Sequence, residues 1–143
     1  MIGRVLGIDV GERRIGLAIS DPSRTLARPL RTIPVRSAGE SIDRIVALIE
    51  QLAIEDEGLD AVVVGLPSRL DGGPTGMTAQ VLRFIDALRA RTRVKVATED
   101  ERLTSREAEA RLALRERDWR RRKQKLDAAA AAVILQDYLD RTP

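Results

Sequence analysis

The strongest constraint on the fold is a pair of apolar segments within residues 6–21, separated by a polar Gly-Glu-Arg-Arg turn. Two apolar runs joined by a short turn of this kind predict a β-hairpin. Because strand side chains alternate between two faces, Asp9 lies on the face opposite Leu6, Ile8 and Val10. An ionised carboxylate inside an apolar strand requires hydrogen bonds, an arginine or a metal ion as its partner. The partner of Asp9 is therefore the first question that the sequence raises.

The residue types that are missing exclude several kinds of chemistry. The 143 residues contain no Cys and no His. Ser-His-Asp and Cys-His mechanisms, zinc sites built from thiolates or imidazoles, and disulfides are therefore excluded. No apolar run approaches the ~20 residues of a membrane span, and the N-terminal residues lack a signal-peptide pattern. We expect a cytoplasmic protein without membrane contact that forms a single domain over residues 1–143.

The pattern along the rest of the chain predicts an α/β fold with a mixed sheet. A third strand follows the hairpin and completes an antiparallel meander, and a continuous apolar run then indicates a strand covered on both faces. Two capping boxes mark helix starts, at Ser37 with Glu40 and at Thr104 with Glu107. The predicted elements after the hairpin are strands at 29–35, 60–66 and 94–98, and helices at 37–57, from about 77 to 88, from 104 onward, and 126–141.

A strongly basic segment precedes the last helix. Residues 115–125 carry seven bases and two acids, and arginine is well suited to bidentate phosphate contacts. We interpret the segment as a mobile basic loop or an extension of the third helix. The side chains predicted to contact a nucleic-acid backbone are Arg120, Arg121, Arg122, Lys123 and Lys125. Trp119 either stacks on an exposed base or anchors the segment through hydrophobic contact.

Three carboxylates lie at positions from which they can converge. Asp9 is near the end of one strand, Glu101 follows another, and Asp127 lies in the first turn of an apolar helix that must pack on the sheet. Carboxylates without His or Cys suit a hard cation such as Mg²⁺ or Mn²⁺. Simpler interpretations exist for each: an Asx turn for Asp9, an ion pair with Arg102 for Glu101, and a favourable helix-dipole position for Asp127. Spacing alone leaves both sets of interpretations open.

A resemblance to a known family favours the metal site. The sequence contains Gly7-Ile-Asp-Val-Gly with Ile-Gly-Leu-Ala-Ile-Ser-Asp21, then Val63-Val-Gly-Leu-Pro67 with Asp-Gly, then Asp100-Glu-Arg-Leu-Thr-Ser105, and finally Lys125-Leu-Asp-Ala-Ala. In this order, across nearly the whole chain, these blocks resemble the YqgF/RuvX family of ribonuclease H-like nucleases. The resemblance implies a five-stranded mixed sheet, with its first three strands antiparallel, flanked by helices.

The resemblance also implies an activity. It implies a metal-dependent endonuclease acting in the 5′-end processing of precursor 16S ribosomal RNA, with cleavage of Holliday junctions as an older assignment. Asp9 and Asp127 are then the principal ligands of Mg²⁺ or Mn²⁺, and Glu101 is the third ligand or orients the attacking water. Arg102 orients Glu101 or neutralises a phosphate, and strand alternation turns Asp100, the candidate fourth acid, away from Glu101.

The sequence leaves rival functions open. We expect RNA as the substrate, with branched DNA as the alternative, and the protein as a monomer or a homodimer. A noncatalytic nucleic-acid-binding module would keep the same fold without cleaving a phosphodiester. An actin-like ATPase also uses an Asp-x-Gly hairpin, but it needs a second lobe to close on ATP, and 143 residues are too few for one.

Overall fold

The computed structural model describes residues 3–67, 73, 75–100 and 119–141, and for residues 119–126 it describes the course of the backbone alone. Five strands and three helices lie within these ranges. None of the described helices is long and apolar enough to cross a membrane. The elements in chain order are β1 (Arg4–Val10), β2 (Arg14–Ser20), β3 (Ala27–Pro34), α1 (Ala38–Ile54), β4 (Leu59–Leu66), α2 (Thr78–Arg91), β5 (Lys95–Asp100) and α3 (Trp119–Arg141).

The five strands form one mixed sheet, as predicted. Their spatial order is β3-β2-β1-β4-β5. β1 pairs antiparallel with β2, and β2 pairs antiparallel with β3, whereas β1–β4 and β4–β5 are parallel pairs. The strand with two prolines, β3, lies at an edge of the sheet, where a missing ladder donor costs least. The predicted meander and its parallel continuation are confirmed.

The two faces of the sheet pack against different helices. Leu6, Ile8 and Val10 belong to the larger apolar cluster, which also contains the buried residues of α1 and α2. Side chains of the opposite face, such as Val5 and Val63, pack with residues of α3. The predicted alternation along β1 is therefore correct, and Asp9 lies on the face that α3 covers.

The first helix begins where its capping box predicts. The Ser37 side chain accepts a hydrogen bond from the Glu40 backbone N–H at 3.1 Å, which satisfies one of the donors that a helix N-terminus leaves free. α1 ends at Ile54, three residues before the predicted end. The helix predicted from Thr104 onward lies outside the described residues.

The last helix differs from the prediction in one respect. α3 runs from Trp119 instead of Leu126, so the prediction of a loop is wrong for residues 119–125. The alternative, an extension of the third helix, depends on residues before 119 that lie outside the described part of the chain. The change from basic to apolar residues was interpreted as a structural boundary, but Arg, Lys and Gln are good helix formers and residues 119–141 contain no Gly or Pro. Asp127 therefore lies more than two turns inside the helix and is not a first-turn acid.

Candidate active site

Asp9 and Asp127 approach each other at a glycine. Asp9 pairs in register with Gly16 of β2. An ideal Cβ built on Gly16 would lie 2.0 Å from the backbone carbonyl oxygen of Asp127. Paired residues of antiparallel strands have Cα atoms about 4.5–5.5 Å apart, so Asp9 and the Asp127 backbone are both immediate neighbours of Gly16. The fold thus places the backbones of two of the three acids that the sequence singles out on either side of one glycine.

Glycine is what permits this close approach of helix and sheet. Gly7 lies two residues before Asp9 on the same face. It also lies very close to α3, at Ala131 and Leu135. Its ideal Cβ would lie 2.8 Å from the Leu135 Cβ and 3.0 Å from the Ala131 carbonyl oxygen. Since the blocking atoms at Gly16 and Gly7 include helix backbone, side-chain rotation cannot make room for a methyl group. The two glycines therefore set the distance between α3 and the hairpin, and with it the position of Asp127.

Arg14 is a residue of this site that sequence reasoning missed. It begins β2, and its Nε donates a hydrogen bond to Asp127 Oδ2 at 2.5 Å. The Arg14 and Asp127 side chains are 25% and 28% exposed, so the pair is largely shielded from solvent. A signal was present in the sequence: Arg14 and Gly16 are two residues apart and face the same side of the sheet. The contact itself links residues 113 positions apart, which no local pattern reveals.

The acidic cluster at the end of β5 is only partly described. Glu101, the residue that follows β5 in the sequence, lies outside the described residues. Glu99, in the same cluster, is buried and accepts a hydrogen bond from Arg141 of α3. Burial raises the pKa of the Glu99 carboxyl above its ordinary value. The positive charge of Arg141 acts in the other direction and lowers this pKa, but burial has the larger effect.

The burial pattern of β5 places Glu99 and Asp100 on opposite faces of the sheet. The predicted orientation of Asp100 away from Glu101 stays a prediction, since Glu101 is outside the described residues. Asp100 is exposed whereas Glu99 is buried. Glu99 shares a face with Ala97, which packs in the cluster that α3 covers. Asp100 therefore faces the other side of the sheet from Asp9.

The described residues include two of the three acids predicted to bind a metal ion. Asp9 and Asp127 together offer carboxylate oxygens, the donors that Mg²⁺ and Mn²⁺ prefer. Among residues 3–67, 73, 75–100 and 127–141, no group of three acids is close enough to hold a metal ion. The two acids at Gly16 fit a hard cation by their chemistry, and the third ligand predicted from the sequence, Glu101, lies beyond these ranges.

The predicted phosphate contacts fall on the first turns of α3. Residues 120–125 are helical and lead directly to Asp127, with Lys123 one turn before it. The backbone therefore places the five bases Arg120, Arg121, Arg122, Lys123 and Lys125 within about 10 Å along the helix from the acid site, given a rise of about 1.5 Å per residue. Their side chains, and Arg102, lie outside the described part of the structure.

Comparison with known proteins identifies the family of the chain. The family model described as "RuvX: Holliday junction resolvase" matches residues 3–141. The chain belongs to the RuvX family. A relative from Roseiflexus sp. (strain RS-1), provisionally named a pre-16S rRNA nuclease, is 41% identical over 138 residues, which cover 96% of this chain and 94% of the relative. The sequence resemblance to the RuvX family is thereby confirmed.

Solved structures show that the RuvX chain shares its fold with Holliday junction resolvases. The resolvase of Fowlpox virus superposes with a TM-score of 0.58 at 14% identity, covering 96% of this chain and 99% of the resolvase. T. thermophilus RuvC, solved with a Holliday junction, superposes with a TM-score of 0.52 at 20% identity, covering 97% of this chain and 95% of RuvC. The predicted ribonuclease H-like fold is confirmed.

Proposed function

We propose that this RuvX chain is a metal-dependent endonuclease that hydrolyses phosphodiester bonds. The observation that carries the proposal is the meeting of Asp9 and Asp127 at Gly16. Asp9 on a strand and the Asp127 backbone on a distant helix both adjoin Gly16, on the face that α3 covers, and a hard cation is the partner that such carboxylates most readily hold. The family model and the name of the Roseiflexus relative support the same class of activity.

The residues of the chain take distinct roles in this proposal. Asp9 and Asp127 hold Mg²⁺ or Mn²⁺, and Glu101 supplies the third carboxylate or orients the attacking water. When bound, divalent ions of this kind activate water and stabilise the leaving oxygen of a phosphodiester. The bases at the start of α3 bind phosphates beside the acids, and Arg102 contacts a phosphate or orients Glu101. Since the chain has no histidine, proton transfer falls to carboxylates and water.

RNA is the preferred substrate, in the 5′-end processing of precursor 16S ribosomal RNA. The support comes from relatives: the Roseiflexus protein carries the provisional name of a pre-16S rRNA nuclease at 41% identity. A second candidate is cleavage of branched DNA, favoured by the printed description of the family model. A junction has two strands to cut, so that function needs two copies of the site.

The test compares two substrates and three proteins, one of them a control variant. Purified wild-type protein and the Asp9→Asn variant are each incubated with a 5′-extended ribosomal RNA precursor and with a four-way DNA junction, in Mg²⁺ or Mn²⁺. We expect the wild type to cut the RNA and the variant to cut at least 100-fold more slowly, because one metal ligand is lost. Asp56→Asn is the matched control, since Asp56 is an exposed residue after α1 and its loss leaves the acid site unchanged.

Each other outcome has a definite meaning. Equal cutting by wild type and Asp9→Asn removes Asp9 from the metal site. Cutting of the junction alone replaces RNA with branched DNA as the substrate. Binding of both nucleic acids without cleavage in either metal identifies a noncatalytic binding module.

A further inference from the structure

The Arg14–Asp127 ion pair places a cation on a proposed metal ligand. Arg14 Nε lies 2.5 Å from Asp127 Oδ2, a short charge-assisted hydrogen bond. About three quarters of each side chain is buried, so the charges are screened less than those of a surface pair. The guanidinium neutralises the carboxylate that the proposed function assigns to a divalent ion.

Several contacts other than this pair hold α3 on the sheet. α3 is packed on the sheet by side chains without solvent exposure, including Ala131 and Leu135. Gln136 adds two hydrogen bonds, accepting from the Ala27 N–H and donating to the Thr25 carbonyl. Asp127 itself is positioned through its backbone against Gly16. With the helix fixed in these ways, the Arg14 contact is best explained by the carboxylate that it neutralises.

We propose that Arg14 is the resident counter-ion of the acid site and competes with the metal ion for Asp127. This inference rests on the proposed function, because it requires that Asp127 bind a metal. The physical reason is repulsion: a divalent cation on Asp127 and a guanidinium on the same carboxylate disfavour each other, even when each uses a different oxygen. Metal binding therefore weakens or breaks the ion pair.

Release of the pair gives Arg14 a second role. The freed guanidinium remains at the start of β2, within one side-chain length of the metal ligands. Its planar donor geometry matches phosphate, which accepts two parallel N–H groups. Arg14 then binds the phosphodiester that is positioned for cleavage, so that the site exchanges an internal ion pair for substrate contact only when the metal is present.

Whether Arg14→Gln binds Mn²⁺ more tightly or more weakly than the wild type distinguishes competition from structural support. Titration calorimetry measures Mn²⁺ binding to the wild type, to Arg14→Gln and to Arg13→Gln. Arg13 is exposed and immediately precedes Arg14, so its variant removes the same charge one residue away. Competition predicts about tenfold tighter Mn²⁺ binding by Arg14→Gln and little change for Arg13→Gln. If Arg14 merely holds Asp127 in place, Arg14→Gln binds Mn²⁺ more weakly.

A second variant and a second measurement complete the test. Arg14→Lys keeps the charge but loses the planar group, so we expect Mn²⁺ affinity between those of wild type and Arg14→Gln, with slower cleavage at saturating Mn²⁺ than wild type. If Arg14→Gln does not fold, Arg14→Lys still shows whether weakening the ion pair raises or lowers Mn²⁺ affinity. Unchanged or weaker Mn²⁺ binding in the Arg14 variants, with the wild type still binding, overturns the role of Arg14 alone. Absence of Mn²⁺ binding in the wild type overturns the proposed metal site and this role with it.

Discussion

Replacing Gly16 with alanine tests how the candidate site is assembled. The new Cβ would lie 2.0 Å from the Asp127 carbonyl oxygen and 2.4 Å from its carbonyl carbon. Real Cβ contacts are essentially never below 3.0 Å, so α3 or β2 has to recede by about 1 Å. The obstacle is helix backbone, and no rotamer change relieves it. The substitution must therefore distort the packing that joins Asp127 to the hairpin.

The loss of stability expected for Gly16→Ala follows from overpacking of the interior. Inserting a methyl group into a well-packed interior costs about 1–3 kcal/mol. A gap of 0.5–1 Å also forfeits roughly a quarter to a half of the dispersion energy of the contacts that it opens, including those of the fully buried Ala131 and Leu135. We expect the free energy of unfolding to fall by about 3 kcal/mol, at the upper end of the range.

Urea denaturation followed by far-UV circular dichroism measures this change. With a slope of about 2 kcal/mol per molar urea, a loss of about 3 kcal/mol lowers the midpoint by about 1.5 M. Gly39→Ala is the matched control, because nothing lies within 4 Å of its ideal Cβ in α1. That variant should be unchanged or more stable by up to about 1 kcal/mol. A Gly16→Ala protein as stable as the wild type would refute the close approach of α3 to β2.

Two further predictions concern pH and salt. The Ser23 hydroxyl and the backbone N–H groups of Leu26 and Thr25 lower the pKa of Asp21 from 3.8 to about 2. The stabilisation from this carboxylate is thus complete above pH 3.8 and lost as the pH falls towards 2, so carbon NMR should show Asp21 titrating near pH 2 and Asp21→Asn should unfold with a shallower pH dependence in that window. At the start of α3, Lys123→Gln should lower the slope of log affinity against log salt for RNA by about 0.7–0.9 if Lys123 contacts a phosphate, measured by fluorescence anisotropy, and an unchanged slope removes that contact.

The sheet could be predicted because its signals are local. Alternation in residues 6–10 assigns each side chain to a face, and the continuous apolar run at 60–66 indicates a strand covered on both sides. Both assignments depend only on neighbouring residues and on strand geometry. The Ser37 cap was predictable for the same reason, since its partner lies three residues away.

The features of the fold and the candidate site that could not be predicted from the sequence depend on tertiary contacts. The start of α3 was misplaced because a change of charge does not end a helix. The Arg14–Asp127 pair joins residues 113 positions apart. The need for glycine at position 16 is visible only in the folded protein, where the Asp127 backbone lies against it. The sequence singles out Asp9 and Asp127 because each is unusual in its own segment, but their position beside Gly16 is a property of the fold.

The most direct test of the metal site is the position of the metal itself. Crystals grown with Mn²⁺ give an anomalous signal that locates the ion independently of activity. We predict a peak in contact with carboxylate oxygens of both Asp9 and Asp127, with Glu101 as the third acid and Arg14 withdrawn from Asp127. The peak should vanish in crystals of Asp127→Asn. A Mn²⁺ ion bound elsewhere, with the Arg14–Asp127 pair intact beside Asp9, would contradict the proposed site.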